Sequence, residues 1–255
     1  MKMSGIAQNP KRVKPQNKDV AKKKGDVKFS TVALIGPDGS GKTTVAKAVL
    51  ETCPFPIKYL YMGVSIESSN VALPTSRLIH KWKVYKHRKS LERSGKEVPE
   101  RITLHGLEHR LVRVERGTLG SFARLLHRIS ELSYRQLVSW FYQLRGYIVL
   151  YDRHFLFDLP TVPTNTDKYR ITDRVHCWFL QKLYPRPGLV IFLDAPADVM
   201  YARKQEVPID YLQKEQEKLA QKSCYAQKKV VVDSTKPLEE VVGIVNEMIL
   251  CHCKK

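Results

Sequence analysis

One segment of the sequence, LIGPDGSGKTT at residues 34–44, limits the folds open to this chain more than any other. A short apolar, β-branched run precedes the segment and a stretch with helical spacing follows it, so a strand, a glycine-rich turn and a helix meet here. The spacing of Gly36, Gly41, Lys42 and Thr43 fits the phosphate-binding loop pattern, which is meaningful only in this strand-to-helix context. An ordinary glycine turn with a helix cap is the alternative, and it leaves most of the pattern unexplained.

The residue types of this loop suit a polyphosphate. Gly39 and Gly41 lack a Cβ, so they can take backbone angles that turn successive N–H groups toward an anion at the positive end of a helix. Lys42 is expected to reach the β- and γ-phosphates, and the Thr43 hydroxyl is expected to bind Mg²⁺. We therefore predict ATP and Mg²⁺ as cofactors. The predicted nucleotide-binding residues of the loop are Gly36, Asp38, Gly39, Ser40, Gly41, Lys42, Thr43 and Thr44.

Length and composition favour one α/β domain with insertions. The chain has 255 residues, of which 43% are hydrophobic, enough for one substantial core. No apolar run approaches the roughly 20 residues that span a bilayer, and the first residues lack a signal-peptide hydrophobic region. We therefore expect a soluble, cytoplasmic protein without a membrane span. The five cysteines show no paired CxxC spacing, which favours reduced thiols over disulfides or a zinc site.

The net charge of +19 is concentrated in two stretches, residues 1–28 and 77–128. The first is lysine-rich and nearly free of large apolar side chains, so residues 1–28 are predicted to form a disordered basic arm and residues 29–255 the folded domain. Solubility is the simplest role for such an arm. Attraction to nucleic acid or to a membrane surface is the alternative, although no aromatic residues are interleaved with these lysines for stacking.

The order of apolar runs predicts a parallel sheet. Four strand-like runs follow the loop, at residues 57–62, 147–152, 189–194 and 229–233. Between the first two of these, residues 74–145 have helical spacing over two long stretches. They are predicted to form a helical insertion on the side where a phosphate acceptor would bind. Short strands that are apolar throughout and alternate with helices indicate a parallel sheet with helices on both faces.

Three strand-like runs end in an aspartate, and ligands of parallel α/β sheets lie at the carboxyl ends of the strands. Asp194 and Asp233 fit a turn or helix-cap role equally well. Asp152 differs because Arg153 follows at once. A carboxylate beside a guanidinium can hold Mg²⁺ or take a hydroxyl proton while the arginine binds an anion with two hydrogen bonds. Asp152 and Arg153 are therefore predicted catalytic residues, with Thr43 and Asp152 as metal ligands.

Three motifs in order, GPDGSGKTT, RGYIVLYDRHF and LVIFLDAPADVMYARKQE, resemble the thymidylate kinase-like branch of the P-loop nucleoside monophosphate kinases. The resemblance covers roughly residues 30–250 and implies a three-layer P-loop kinase fold with a five-stranded parallel sheet. It implies that Asp38 faces the acceptor sugar and that Asp152 and Arg153 lie at the acceptor phosphate. It also implies that Arg203 and Lys204 close over the donor phosphates, as part of a lid and following helix at residues 203–222.

The chain departs from this family after its second strand, where YMGVSIESSNVALPTSRL replaces an Arg-Glu-Pro-Gly-type motif, and its third-strand motif ends in Asp-Arg-His where Asp-Arg-Tyr is usual. Arg77 and Arg170 join Asp38 and Arg153 as candidate acceptor contacts. The predicted catalytic set is Lys42, Asp152, Arg153 and Arg203.

Three functions follow from this sequence. The first is an ATP- and Mg²⁺-dependent kinase that phosphorylates a small acceptor, with dTMP or another nucleoside monophosphate as the default. The second is a kinase of the same fold that acts on a non-nucleotide acceptor such as a sugar. The third is a nucleotide-binding or nucleic-acid-associated protein that uses its basic arm. A homodimer is left open.

Overall fold

A five-stranded parallel sheet organises the described part of the chain. The computed structural model describes residues 30–63, 65–94, 118–158, 171–222 and 226–253. The strands are β1 Thr31–Ile35, β2 Ile57–Tyr61, β3 Ile148–Asp152, β4 Leu189–Asp194 and β5 Lys228–Asp233. They pair in the order β2-β3-β1-β4-β5, and every neighbouring pair is parallel. The predicted five-stranded parallel α/β sheet is therefore confirmed. The predicted basic arm, residues 1–28, lies outside the described residues, so the domain boundary stays a prediction.

Helices connect the strands. The described helices are α1 Lys42–Thr52, α2 Pro74–Arg93, α3 Thr118–Leu144, α4 Phe155–Asp158, α5 Ile171–Lys182, α6 Ala197–Arg203, α7 Ile209–Gln221 and α8 Leu238–Cys253. The predicted insertion contributes α2 and α3, which both lie between β2 and β3. In the described part of the chain, no helix combines the length and the apolar character needed to cross a membrane.

The three central strands, β3, β1 and β4, are buried on both faces, and successive residues of each strand point to opposite sides of the sheet. On one side Leu34, Leu150 and Ile191 pack with α1 and α8, through side chains such as Val49 and Val245. On the other side the alternate strand residues pack against α3, α4, α5 and α7. The second group includes Ala33, Tyr151, Phe192, Leu132, Leu156, Leu180 and Leu219. Two helical layers therefore cover the sheet, which explains why its strands read as continuous apolar runs.

The sheet topology determines where a ligand-binding crevice would lie. Strand β1 lies at the centre, between β3 and β4, and the chain leaves it toward β2 on one side before returning to β4 on the other. The carboxyl ends of β1 and β3 lie side by side, because Leu34 is in register with Asp152. Ligands of open parallel sheets bind at such a switch point. The glycine-rich loop and the Asp-Arg pair therefore meet at the same edge.

Candidate active site

The loop between β1 and α1 has the backbone of an anion cradle. Gly39 and Gly41 have φ values of 85° and 84°, in the left-handed region that favours glycine. Gly41 is the N-cap of α1 and no side chain caps this helix. The first N–H groups of a helix have no intrahelical acceptor, so an anion can accept hydrogen bonds from them here. The local sequence thus supplies a turn that can present backbone N–H groups to an anion.

The two left-handed glycines give a matched stability test. Gly39→Ala would place a Cβ 2.4 Å from the carbonyl oxygen of Met200, whereas Gly41→Ala would meet no atom within 4 Å. Both variants take on left-handed strain of about 1 kcal/mol, but only the first also forces packed backbone apart. We expect Gly39→Ala to lower the free energy of unfolding by about 2 kcal/mol more than Gly41→Ala. Urea denaturation of both proteins measures this, and equal losses would contradict the close packing at Gly39.

Lys42 lies inside the loop. Its Nζ donates to the carbonyl oxygens of Gly36 at 2.8 Å and Pro37 at 2.6 Å, and lies 4.0 Å from a carboxylate oxygen of Asp38. Burial and the charge of Arg153 lower the pKa of Lys42 to about 8, although nearby carboxylates oppose this shift. A buried ammonium group held by two neutral carbonyls, the Ser40 hydroxyl at 3.5 Å and one carboxylate 4.0 Å away favours an incoming polyanion. The predicted contact of Lys42 with the β- and γ-phosphates stays a prediction.

Asp152 joins the loop to the end of β3. Its Oδ2 accepts hydrogen bonds from the Thr43 hydroxyl at 3.1 Å and from the Tyr59 hydroxyl at 2.7 Å, and its side chain is buried. Burial and the hydrogen bond to Asp152 raise the pKa of Tyr59, so this phenol stays protonated and donates. The predicted metal ligands, Thr43 and Asp152, are therefore in contact. A hydroxyl and a carboxylate are the oxygen donors that Mg²⁺ prefers.

Arg153 contacts the loop from the other side. Its φ of 65° is left-handed, which is uncommon for a residue with a side chain, and its guanidinium donates to Asp38 in an ion pair. Burial alone would raise the pKa of Asp38, but Arg153, Lys42 and Lys204 together hold that pKa below its ordinary value. Asp38 therefore stays ionised between two cations. The unusual backbone angle aims Arg153 at the loop, as strained residues at functional sites do.

The predicted lid begins at the end of α6. Gly39 of the loop packs against the Met200 carbonyl of this helix. The same carbonyl accepts a hydrogen bond from the backbone N–H of Lys204. Lys204 is near enough to lower the pKa of Asp38, and its Nζ forms an exposed ion pair with Glu206 at 2.9 Å. Arg203 instead donates to the Ser234 carbonyl at 2.9 Å. Its predicted approach to the donor phosphates stays a prediction.

The acceptor contacts predicted outside the loop lie elsewhere. Arg77 is exposed on α2 and donates to the Asn70 carbonyl at 3.1 Å. It borders an open cavity of about 500 Å³, whose lining residues are Asn70, Val71, Ala72, Pro74, Arg77, Leu78, Lys81 and Tyr134. No described contact joins Arg77 to the loop, so its role stays a prediction. Arg170 lies outside the described residues.

The buried charge pair of Arg135 and Glu131 on α3 was not predicted from the sequence. Arg135 is 1% exposed, and it donates to Glu131 at 2.6 Å and to the Gly63 carbonyl at 2.8 Å beyond β2. Glu131 in turn accepts from the Leu73 N–H at 3.0 Å and from the Ser76 hydroxyl. The pair therefore fixes the chain from the end of β2 to the start of α2. Its sequence signal was two opposite charges four residues apart on the apolar stripe of a helix.

The histidine of the Asp-Arg-His motif belongs to the core. His154 is fully buried among the rings of Tyr151, Phe157 and Tyr184, with centroids 5.3, 6.4 and 5.6 Å away. Burial lowers its pKa to about 3, so this imidazole is neutral at physiological pH. His154 therefore packs in the core and adds no charge to the site.

Asp194 and Asp233 make local structural contacts. Asp194 accepts a hydrogen bond from Gln216 of α7, while Asp233 accepts from the backbone N–H of Thr235 at 2.8 Å and from its hydroxyl at 2.6 Å. The second pattern is an aspartate turn. The turn role given by the sequence accounts for the contacts of Asp233, whereas the contact of Asp194 with Gln216 was not predicted.

No protein-family model matches this chain, and no curated protein sequence matches it. Among solved structures, one similar chain is a deoxyadenosine kinase from M. mycoides, whose structure holds the products dCMP and a flexible dCDP. The superposition covers 87% of this chain and 99% of that chain, at 13% sequence identity and a TM-score of 0.46.

Proposed function

We propose that this protein is an ATP- and Mg²⁺-dependent phosphotransferase that moves the γ-phosphoryl group of ATP to a small acceptor. One observation carries the proposal: the loop residues Thr43 and Asp38 contact Asp152 and Arg153, respectively, at the end of β3, and the Lys42 ammonium lies 4.0 Å from Asp38. Phosphoryl transfer needs mainly positioning and positive charge around the migrating group. Here a cation inside an anion cradle, a pair of oxygen ligands and a guanidinium converge at one strand edge.

The residues present fit the proposed cofactors. The N–H groups at the uncapped start of α1 and the Lys42 ammonium would hold the β- and γ-phosphates, and Thr43 with Asp152 would hold Mg²⁺. Bound Mg²⁺ neutralises phosphate charge as the transferred group leaves. Since Lys42 now donates to two loop carbonyls, a bound phosphate would replace neutral acceptors by a charged one.

The acceptor would meet the loop between Asp38 and Arg153. A phosphorylated acceptor, with dTMP or another nucleoside monophosphate as the default, would form two parallel hydrogen bonds with the Arg153 guanidinium.

One observation favours the second candidate, a hydroxyl acceptor such as a sugar. Asp38 stays ionised beside Lys42, where a carboxylate can accept a hydroxyl proton as the bond to phosphorus forms.

Release of ADP in the presence of individual acceptors tests the proposal. Purified protein is given ATP and Mg²⁺ with single nucleoside monophosphates, nucleosides or sugars, and ADP is compared with that formed in water alone. We expect one acceptor class to raise ADP formation well above the water reaction. If no acceptor in the panel does so while ATP binds, the third candidate, a nucleotide-binding protein without transfer activity, replaces the proposal.

Arg153→Lys is expected to raise the KM for the acceptor by about tenfold or more while changing the KM for ATP much less. Lysine keeps the charge but cannot form the planar two-pronged contact with a phosphate, and it loses the directed ion pair with Asp38. Initial-rate kinetics with each substrate varied in turn give the two constants. An unchanged KM for the acceptor would remove Arg153 from the acceptor site.

A further inference from the structure

Helix α2 is unusually basic and unusually exposed. Of its twenty residues only Ser76, in the first turn, is buried. Seven lysine and arginine residues against the single Glu92 give the helix a net charge of +6. Helices of globular domains normally bury an apolar stripe against the core, so the stability of this one does not come from its own apolar side chains.

The side of α2 that faces solvent carries its large apolar residues. Leu78, Trp82 and Tyr85 are 66%, 61% and 61% exposed. Their spacing of four and then three residues aligns them on one stripe of the helix. Three lysines flank the stripe, and together these residues form what we call the outer face of α2: Leu78, Lys81, Trp82, Tyr85, Lys86 and Lys89. Solvent exposure costs free energy for each apolar group, so this face favours a partner that covers it.

Contacts within the outer face distinguish between anionic partners. The ammonium group of Lys86 lies 5.1 Å from the ring centroid of Trp82, and that of Lys89 lies 5.9 Å from that of Tyr85. Each aromatic ring thus has a cation over one face, where a nucleic-acid base would need to stack. Exposed leucine gains little from a phosphate backbone. An acidic bilayer suits all six residues, because tryptophan, tyrosine and leucine enter the interface while lysines extend to lipid phosphates.

We propose that the outer face of α2 docks this protein on an anionic lipid bilayer, with the helix lying in the plane of the interface. The lysines are attracted to the acidic headgroups by their opposite charge, and the side chains of the apolar stripe insert between the lipids. Because Arg77 and Leu78 border the cavity at the start of α2, docking would hold that cavity against the membrane. The proposal goes beyond the phosphotransferase function and does not depend on it.

Trp82 can report its own insertion. The chain has three tryptophans, and Trp140 and Trp178 are 46% and 55% exposed, so Trp140→Phe and Trp178→Phe leave Trp82 as the only indole at little cost in stability. In the full chain with these two changes, we expect vesicles of phosphatidylglycerol and phosphatidylcholine to shift the Trp82 emission to shorter wavelength. Vesicles of phosphatidylcholine alone should not. The basic arm at residues 1–28 has no tryptophan, so it cannot produce this signal.

A matched pair of triple variants separates the outer face from general charge. Lys81→Gln, Lys86→Gln and Lys89→Gln together should lower the vesicle partition coefficient by on the order of a hundredfold at low salt. The control, Lys47→Gln, Lys182→Gln and Lys228→Gln, changes the net charge equally at other exposed sites and should keep most of the binding. Circular dichroism and thermal unfolding verify that both fold.

Three results would overturn the proposal. The first is the absence of any shift in Trp82 emission with acidic vesicles. The second is an equal loss of binding in the two triple variants, which would make the attraction a property of total charge. The third is tight binding of a single-stranded oligonucleotide that the α2 variant abolishes, together with unchanged vesicle binding, which would assign the outer face to nucleic acid.

Discussion

Lys42→Ala is expected to lower the rate of phosphoryl transfer by about a hundredfold to a thousandfold. The Lys42 ammonium lies within hydrogen-bonding distance of the Gly36 and Pro37 carbonyls, so it occupies the interior of the loop where the β- and γ-phosphates would bind. Removing it leaves the left-handed glycines and the start of α1 in place. The cradle would still bind nucleotide, but the transition state would lose its nearest positive charge. Steady-state kcat, measured with saturating ATP and acceptor, gives the effect.

Lys47→Ala is the matched control for this change. Lys47 lies on the same helix one turn further on, and its side chain is exposed. It should retain the wild-type kcat because it contacts neither the loop nor the end of β3. Thermal unfolding shows whether Lys42→Ala remains folded. A folded Lys42→Ala protein with wild-type kcat would exclude the loop from catalysis.

The sheet could be predicted from the sequence because its three central strands, β3, β1 and β4, are buried on both faces. Runs such as LVIFLD at residues 189–194 contain no polar residue before the last, and the structure gives this strand the same bounds, Leu189–Asp194. The other strands differ from their predicted bounds by one residue at an end. A short run that is apolar throughout predicts a strand buried on both faces, whereas an amphipathic segment is compatible with more than one type of secondary structure.

The centre of the site was also predictable, since parallel strands bring their carboxyl ends to one edge. Thr43 contacts Asp152 and Asp38 pairs with Arg153 at this edge, while the catalytic and ligand roles of these residues stay predictions. The contact of Arg153 with Asp38 joins residues 115 positions apart, and it follows from the register of β1 with β3.

Neither the Tyr59 contact with Asp152 nor the Arg135 contact with the Gly63 carbonyl could be placed from the sequence, because each joins residues that are distant in the chain. Tyr59 belongs to an edge strand, and only the pairing of β2 with β3 brings its hydroxyl to Asp152. The buried charge of Arg135 is balanced by Glu131, and its guanidinium also donates to backbone carbonyls. A helical repeat does not reveal the contacts with these carbonyls. Buried polar groups are determined by tertiary partners, so a pattern of apolar residues leaves them out.

Asp152→Asn is expected to lower kcat by about a hundredfold or more and to raise the Mg²⁺ concentration needed for half-maximal rate by about tenfold to a hundredfold. The amide keeps the size of the side chain and can still accept from Thr43 and Tyr59, whose hydroxyls lie 3.1 and 2.7 Å from the carboxylate. What disappears is the negative charge that Mg²⁺ binds. Rates measured across a Mg²⁺ titration separate a lost metal ligand from a lost fold.

Tyr59→Phe distinguishes the charge of Asp152 from its orientation. This change removes one hydrogen bond to Oδ2 but keeps the carboxylate and the Thr43 contact. Loss of a single neutral donor costs about 1 kcal/mol, so kcat and the Mg²⁺ requirement should change by less than tenfold. If Tyr59→Phe were as damaging as Asp152→Asn, the role of Asp152 would be to fix β2 against β3, and the metal would need another ligand. A wild-type Mg²⁺ requirement in Asp152→Asn, with kcat reduced, would likewise remove Asp152 from the metal site.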